Sequence, residues 1–525
     1  MNDRLISLVK MRQASGRLAS LAASTDGHLE VAVHEPRLPF GSVHTESLTP
    51  VFQSDAVYGV LSDQVTATSS LGGSATASDS SFVVSTGTTQ NAQGMLQSRK
   101  RLRYRAGQGV VGRFAGLYTT PVASSYQVVG FGHAEDGVYF GYQGTTFGIL
   151  YANRGVSEVR TLTITTASST AENVVVTLNG TANNIAVTNS GNIQRTVWEI
   201  SKGTYSGWKA FPSGATVVFV RDAAGTASGT YSLTGTTVGG TFAQTKAGAA
   251  STDAFVAQTS WNCDVLDGSR SSRNPSGFLL DPTKGNVFQI GIQYLGYGCI
   301  TFAIETWSAD SNNPTFTTVH VLKLPGTLTA TSLSNPSFPF TMAAYSTGST
   351  TNLTVKVGSF AGFIEGNKRL HGPRSSYFNS SAAVDATNYT ALFTVYNPLF
   401  NTTANRTNQA VVNLISCNCA LKHISPCIIY LIKNGTVAGN PTFSAFSTNS
   451  TTLWSTTAHT ITSPTNSQIL WSGHLGDTGN FDHSLSPAGI EELTLQPGEY
   501  ITVAARAVSG SPSYVTASLN TREDI

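Results

Sequence analysis

Along most of this chain the apolar residues recur with a period of two. Phe288, Ile290, Ile292 and Tyr294 alternate with Gln289, Gly291 and Gln293, Leu295-Gly-Tyr-Gly298 interrupts them, and Ile300, Phe302 and Ile304 resume. Successive strand side chains point to opposite faces, so this pattern predicts an antiparallel hairpin with one buried face. Val174, Val176 and Leu178 stop at Asn179-Gly180, a dipeptide that tolerates positive φ, and return through Ile185 and Val187 as a second hairpin. Leu493 and Leu495, then Pro497-Gly498, then Ile501, Val503 and Ala505 repeat the hairpin pattern, closed by Val515, Ala517 and Leu519. Helical periodicity is confined to the N-terminal arm and a short piece around Thr196 to Ser201. Many short strands punctuated by Gly, Asn and Pro predict an all-β fold. The expected architecture is multi-domain, antiparallel, β-sandwich or jelly-roll-like, with a short N-terminal arm. No short internal repeat points to a propeller or β-helix.

A chain of 525 residues is too long for one ordinary core. The pattern divides it into a docking arm over 1–45 and a first sandwich over 46–157 that resumes over 255–367. An inserted small β domain covers 158–254, a basic linker 368–374, and a last sandwich 375–525. Within the arm, Met1 to Ser24 lacks the continuous apolar core of a signal peptide, and Arg4, Lys10, Arg12 and Arg17 give only a faint transit-peptide character. A short amphipathic docking arm is the preferred reading.

Composition changes the picture in one respect. Charged residues are 11% of the chain, against roughly 25% in ordinary globular proteins, while 40% are hydrophobic and Ser plus Thr make up roughly a quarter. Strands whose outward faces carry hydroxyls rather than charges suit contact with other protein better than life as a freely diffusing enzyme. The net charge of +2 argues against a globally basic nucleic-acid binder, and no stretch approaches the ~18 apolar residues of a membrane span. Five cysteines without framework spacing suit a reducing cytoplasm. Eight Asn-x-Ser/Thr sequons, Asn179, Asn352, Asn401 and Asn434 among them, are about the number that chance gives at this Ser/Thr content.

Three blocks carry a resemblance: Leu29 to Tyr58 (LEVAVHEPRLPFGSVHTESLTPVFQSDAVY), Ser98 to Leu150 (SRKRLRYRAGQGVVGRF…GVYFGYQGTTFGIL) and Gln258 to Gly366 (QTSWNCDVLDG…FAGFIEG). With Leu495 to Glu499 and Thr516 to Asp524, they resemble large virion structural proteins of big double-stranded DNA viruses and tailed phages. In that group the second block runs almost directly into the third, which implies that 158–254 is an insertion. The resemblance implies a capsid, spike, fibre or tail component and no reaction.

Four places carry candidate chemistry. In Arg99-Lys-Arg-Leu-Arg-Tyr-Arg105, two-residue spacing on a strand would put Arg99, Arg101, Arg103 and Arg105 on one face. Such a row repels itself unless covered, and it suits docking against an acidic face of a neighbouring subunit. The plainer reading is a solvated strand face, and nucleic acid is the weaker partner because no aromatic platform accompanies the patch. Cys417, Cys419, His423 and Cys427 supply four zinc-ligand types, but on a strand the CxC spacing is that of small buried core cysteines, the favoured reading. His474 and Asp477 with Asn480, Asp482 and His483 lie in a Gly-containing loop without EF-hand order and read as a polar loop. Gly132-His-Ala-Glu-Asp-Gly137 holds His133, Glu135 and Asp136 in a tight turn, where catalysis is disfavoured. Trp208 could stack on a sugar, although plugging the small domain's core is the better expectation.

No phosphate loop, nucleophile elbow or His-Glu-x-x-His occurs, and no cofactor is expected. The expectation is therefore a non-enzymatic virion protein, assembled in the host cytoplasm. Its partners would be its own copies, as a trimer or pentamer, and other virion proteins including the major capsid protein. The alternative is a spike whose 158–254 segment binds a host-surface glycan or receptor. A glycan-degrading tail enzyme ranks third, because it needs paired carboxylates in a cleft.

Overall fold

A computed structural model describes residues 10–12, 18–20, 48–307, 314–366, 372–379, 382–421, 425–456, 459–461, 468–476, 480–484, 493–509 and 513–524. They form antiparallel sheets with a single α-helix among the described residues, Ile193–Ser201. This is the all-β sandwich architecture that the period of two predicts. The chain divides into two compact units, Met1–Asn153 with Asp253–Lys368 and Arg154–Thr252 with Arg369–Ile525.

The first unit pairs a seven-stranded with a nine-stranded sheet. In the first sheet the order is Thr252–Ala257, Thr146–Asn153, Gly137–Gln143, Ser125–Gly132, Phe338–Ser346, Gln93–Leu102 and Val65–Ser70. The second runs from Pro314–Leu322 through Ile300–Trp307, Asn286–Ile292 and Val110–Tyr118 to Thr354–Val357, Ser81–Ser85 and Ser74–Ser78, with Ser359–Glu365 and Leu48–Asp55 branching from Val110–Tyr118. The hairpin predicted from Phe288 to Ile304 is present, and its apolar residues face one another: Phe288 opposite Ile304, Ile290 opposite Phe302, Ile292 opposite Ile300. These side chains meet Phe114, Phe131, Phe140 and Phe340 in one buried aromatic core. Phe340 and Phe360, one from each sheet, stack with centroids 3.9 Å apart. Gly112 leaves room for the Phe131 ring, from which a Cβ would lie 2.1 Å away.

The second unit holds two sandwiches with a shared seam. Residues of 158–254 form a four-stranded and a three-stranded sheet, with the helix packed on a core that includes Leu162, Val176, Ile200, Trp208 and Phe219. The Val174 hairpin turns at Asn179-Gly180 as predicted, both with positive φ. The helix starts at Ile193, three residues before the expected segment, and is capped by Asn192, whose side chain accepts the Arg195 N–H. The C-terminal residues form a six-stranded and a seven-stranded sheet around Leu392, Val412, Ile429 and Val503. Val159, Trp198, Phe211, Val218 and Val220 then pack with Tyr396, Phe400, Val437, Phe443 and Tyr500 in a further cluster. The insertion and the C-terminal sandwich, separate in the expected division, thus share buried surface.

Two expectations need correction. Leu495 and Ile501 do not flank a hairpin: Thr494–Leu495 pairs with Val411–Leu421, while Tyr500–Ala507 pairs with Tyr389–Tyr396 and Cys427–Lys433 in the other sheet. Pro497-Gly498 arches between two sheets facing one core, and alternation looks the same for an arch as for a hairpin. In the arm, Lys10–Arg12 pairs with Leu18–Ser20 as strands rather than helix; most of 1–45 lies outside the described residues. So do 367–371 of the linker region, and Arg374 opens a strand, Arg374–Phe378, paired with Ser513–Asp524.

Candidate functional site

The arginine row is where structure and spacing part. Arg99 and Arg101 lie in the strand Gln93–Leu102, but the strand ends there and carries a register shift opposite Pro339 to Thr341. Alternation no longer sets direction beyond Leu102. Arg103 is buried, at 8% exposure, while Arg99, Arg101 and Arg105 are half-buried. The four guanidinium groups therefore do not form one open face.

Instead, the fold brings Arg101, with the Arg103 charge near it, to the turn between Ser125–Gly132 and Gly137–Gln143, while Arg99 Nε donates to the Ser62 carbonyl. Burial, then the Arg103 charge, lowers the Arg101 pKa to about 10, with Glu135 opposing the shift. Asp136 is fully buried. Its carboxylate accepts the Ser334 N–H at 3.1 Å, the Ser334 hydroxyl, and the Asn335 N–H at 2.8 Å. The turn closes with the His133 N–H donating to the Asp136 carbonyl at 2.8 Å. The His133 ring accepts the Glu135 N–H at Nδ1, 3.2 Å away, and Nε2 lies 3.2 Å from the Asn335 carbonyl oxygen. A ring nitrogen facing an N–H must be unprotonated, so His133 is neutral with its hydrogen on Nε2. Burial, then the Arg101 charge, holds its pKa below the ordinary value, against Asp136 and Glu135. Both nitrogens are engaged by backbone groups, which suits a corner clamp rather than proton transfer to a bound molecule.

The cysteines face the C-terminal core. Cys417 and Cys419 are buried with their sulfurs 3.8 Å apart, and Cys427 donates to the Ser425 carbonyl. Hydrogen bonding to Cys417, with burial behind it, pushes the Cys419 thiol far up, away from the thiolate that zinc requires. His423 lies outside the described residues, and among those described no group of three His, Cys, Asp or Glu could hold a metal ion. His474 is exposed. Asp477 and the side chains of Asn480, Asp482 and His483 are outside the described set.

Trp208 belongs to the core of the inserted segment. It is 4% exposed, with Nε1 donating to Asn179 Oδ1 at 2.8 Å. The sugar-stacking option is therefore corrected: both indole faces are covered. What sequence reading missed lies nearby. The outward residues of Thr181–Val187 and the C-terminal end of the helix border an open depression of ≈ 530 Å³, lined by Asn184, Ala186, Glu199, Lys202 and Thr204 among others. Lys202 Nζ sits 4.0 Å from the Trp198 ring centroid and 4.2 Å from that of Tyr500. Desolvation pulls its pKa down to about 7, although the residue as a whole is exposed, its amine end alone lying between the rings. No local motif signals this arrangement, because Tyr500 is supplied from the far end of the chain.

No family model matches the chain, and no curated protein matches it. Among solved structures it is similar to a GH43 glycoside hydrolase engineered for endo-xylanase and exo-arabinofuranosidase activity, at 11% identity and a TM-score of 0.22. That match covers 66% of this chain but 48% of the hydrolase, so the chain spans about half the length of that protein. It is similar to the lectin UEA-II in complex with galactose, at 8% identity and a TM-score of 0.20, covering 60% of this chain and 99% of the lectin. A third similarity is to the triple jelly roll turret protein of an archaeal virus, at 7% identity and a TM-score of 0.17, covering 88% and 90% of the two chains.

Proposed function

We propose that this chain is a structural component of a virus particle that acts through self-association and contacts with neighbouring capsid proteins, without catalysing a reaction. The observation that carries this reading is a pair of sheet edges in the first unit that, among the described residues, no further strand covers. Val65–Ser70 ends the seven-stranded sheet and Ser74–Ser78 ends the strand order of the nine-stranded one, joined only by Leu71-Gly-Gly73. Proteins that stay apart blunt such edges with charges, prolines, bulges or a covering element. These eleven strand residues contain neither a charge nor a proline, and Thr68, Ser69, Ser70 and Thr76 are exposed. Such edges suit pairing with another chain's strand, and a second copy is the occupant that an assembling shell supplies.

Sedimentation equilibrium of the purified chain tests this. The wild type is expected to form a discrete closed oligomer, a trimer or pentamer, and Thr68→Lys with Thr76→Lys to sediment as a folded monomer. A wild-type monomer, or a double variant that assembles unchanged, contradicts the reading.

A second reading is favoured by the depression at Asn184 to Thr204: the segment 158–254 is an attachment surface for a host glycan or receptor. Deleting the segment would strip the shared core around Tyr396 and Tyr500, so point variants on a glycan array are the better test. Wild-type chain that binds no array component would count against it.

A further inference from the structure

Lys202 presents an unusual electrostatic situation. Among the described residues no hydrogen bond or ion pair engages its ammonium, nor the side chains of Asn184 and Thr204. Glu199, one turn back, is committed elsewhere: it accepts the Thr188 N–H at 2.9 Å, the Thr188 hydroxyl at 2.8 Å and Arg195 Nε at 2.7 Å. The Trp198 and Tyr500 rings stabilise a cation through their π faces but do not neutralise it. Among the described residues no anion engages the ammonium, which leaves it able to take one from a ligand. The remaining lining is neutral, with the Asn184 amide, the Thr204 hydroxyl and the small apolar Ala186. A volume of ≈ 530 Å³ lies in the range of small-molecule sites. A phosphate would call for an arginine fork or a nest of backbone N–H groups, and a second negative charge would meet the Glu199 carboxylate. One negative charge on a body of hydroxyls fits better.

We propose that this depression binds a carboxylated sugar residue, a uronic or sialic acid, whose carboxylate pairs with Lys202 while Asn184 and Thr204 hydrogen-bond its hydroxyls. The proposal rests on the attachment reading of 158–254 and specifies its ligand. It has a consequence that a generic basic surface lacks. Because the free amine titrates near pH 7, binding a carboxylate takes up a proton, and affinity falls about tenfold between pH 6 and pH 8.

The test is calorimetric titration of the purified full chain with glucuronic acid, with N-acetylneuraminic acid, and with methyl glucoside as the uncharged probe. Either acid is expected to bind at least about tenfold tighter than methyl glucoside, with a heat that depends on the buffer's ionisation enthalpy. Lys202→Gln should abolish the difference, while Lys202→Arg should keep binding and lose the pH dependence; circular dichroism checks that both are folded. Equal binding of acid and neutral sugars, undiminished affinity in Lys202→Gln, pH-independent wild-type affinity, or no binding of either acid at about 10 mM would each overturn it. On a glycan array, neutral glycans bound equally by wild type and Lys202→Gln would overturn the acidic-sugar site and leave attachment standing. Calorimetric binding with an array that captures no chain would do the reverse.

Discussion

The molecule treats two sets of cationic side chains in opposite ways. In the first unit Arg101 and Arg103 are drawn into a corner with Glu135, Asp136 and His133. There the charges are offset within the chain, and the carboxylate of Asp136 is saturated by Ser334 and Asn335. In the second unit Lys202 is backed by two aromatic rings and lines an open depression, with no carboxylate committed to it among the described residues. Buried charge that is paired and hydrogen-bonded locks a structure, because removing one partner strands the others. A desolvated charge that no carboxylate pairs adds no stability of its own and stands to gain from an anionic ligand. Asp136, in the corner where sequence spacing led to Arg101, belongs to the first kind, and the overlooked lysine to the second.

That contrast can be broken at its strong end first. Asp136→Ala leaves two backbone N–H groups without their acceptor and removes a negative charge from beside His133. It should cost the first unit about 3 kcal/mol or more, measured by urea unfolding of the full chain. The effect at His133 is smaller and depends on pH. Its folded pKa lies below the ordinary 6.5, so the unfolded chain binds the proton more readily. The stability it contributes is complete above pH 6.5 and is lost as pH falls from there through the folded pKa. Protonating Nδ1 would also set two donors against each other at the Glu135 N–H. His133→Gln should flatten the drop in melting temperature between pH 6.5 and pH 5; an equally steep drop in the variant would show that other groups cause it. The weakest effect belongs to Lys202→Gln, which should cause no loss of stability, because an ammonium desolvated against Trp198 and Tyr500 is a cost to the fold that the neutral side chain does not carry. A loss of several kcal/mol there would make Lys202 a structural residue and erase the contrast.

How much was legible in the sequence follows from which interactions are local. The Phe288 to Ile304 hairpin could be read to the residue, since alternation and turn lie within twenty positions. The Asn179-Gly180 turn was equally plain, because few dipeptides accept two positive φ angles. The arch at Pro497-Gly498 was not, since partner choice is decided by strands some seventy to a hundred residues away. The His133 to Asp136 turn was visible as a turn, but its meeting with Arg101 and Asn335 needs two sheet neighbours far apart in sequence. Arg103 was misplaced by extending a strand past its end. The Lys202 site joins a helix end, a hairpin strand and Tyr500, and no local pattern announces such a union.

Hydrogen exchange at the backbone amides of 65–78, followed across protein concentration, tests the claim of edge-mediated assembly most directly. Protection in Val65–Ser70 and Ser74–Ser78 should rise with concentration as the outer N–H groups pair with another copy, and Thr68→Lys with Thr76→Lys should remove the rise. Amides that exchange at the same rate at every concentration, in a chain that has nonetheless associated, would place the contact elsewhere and contradict it.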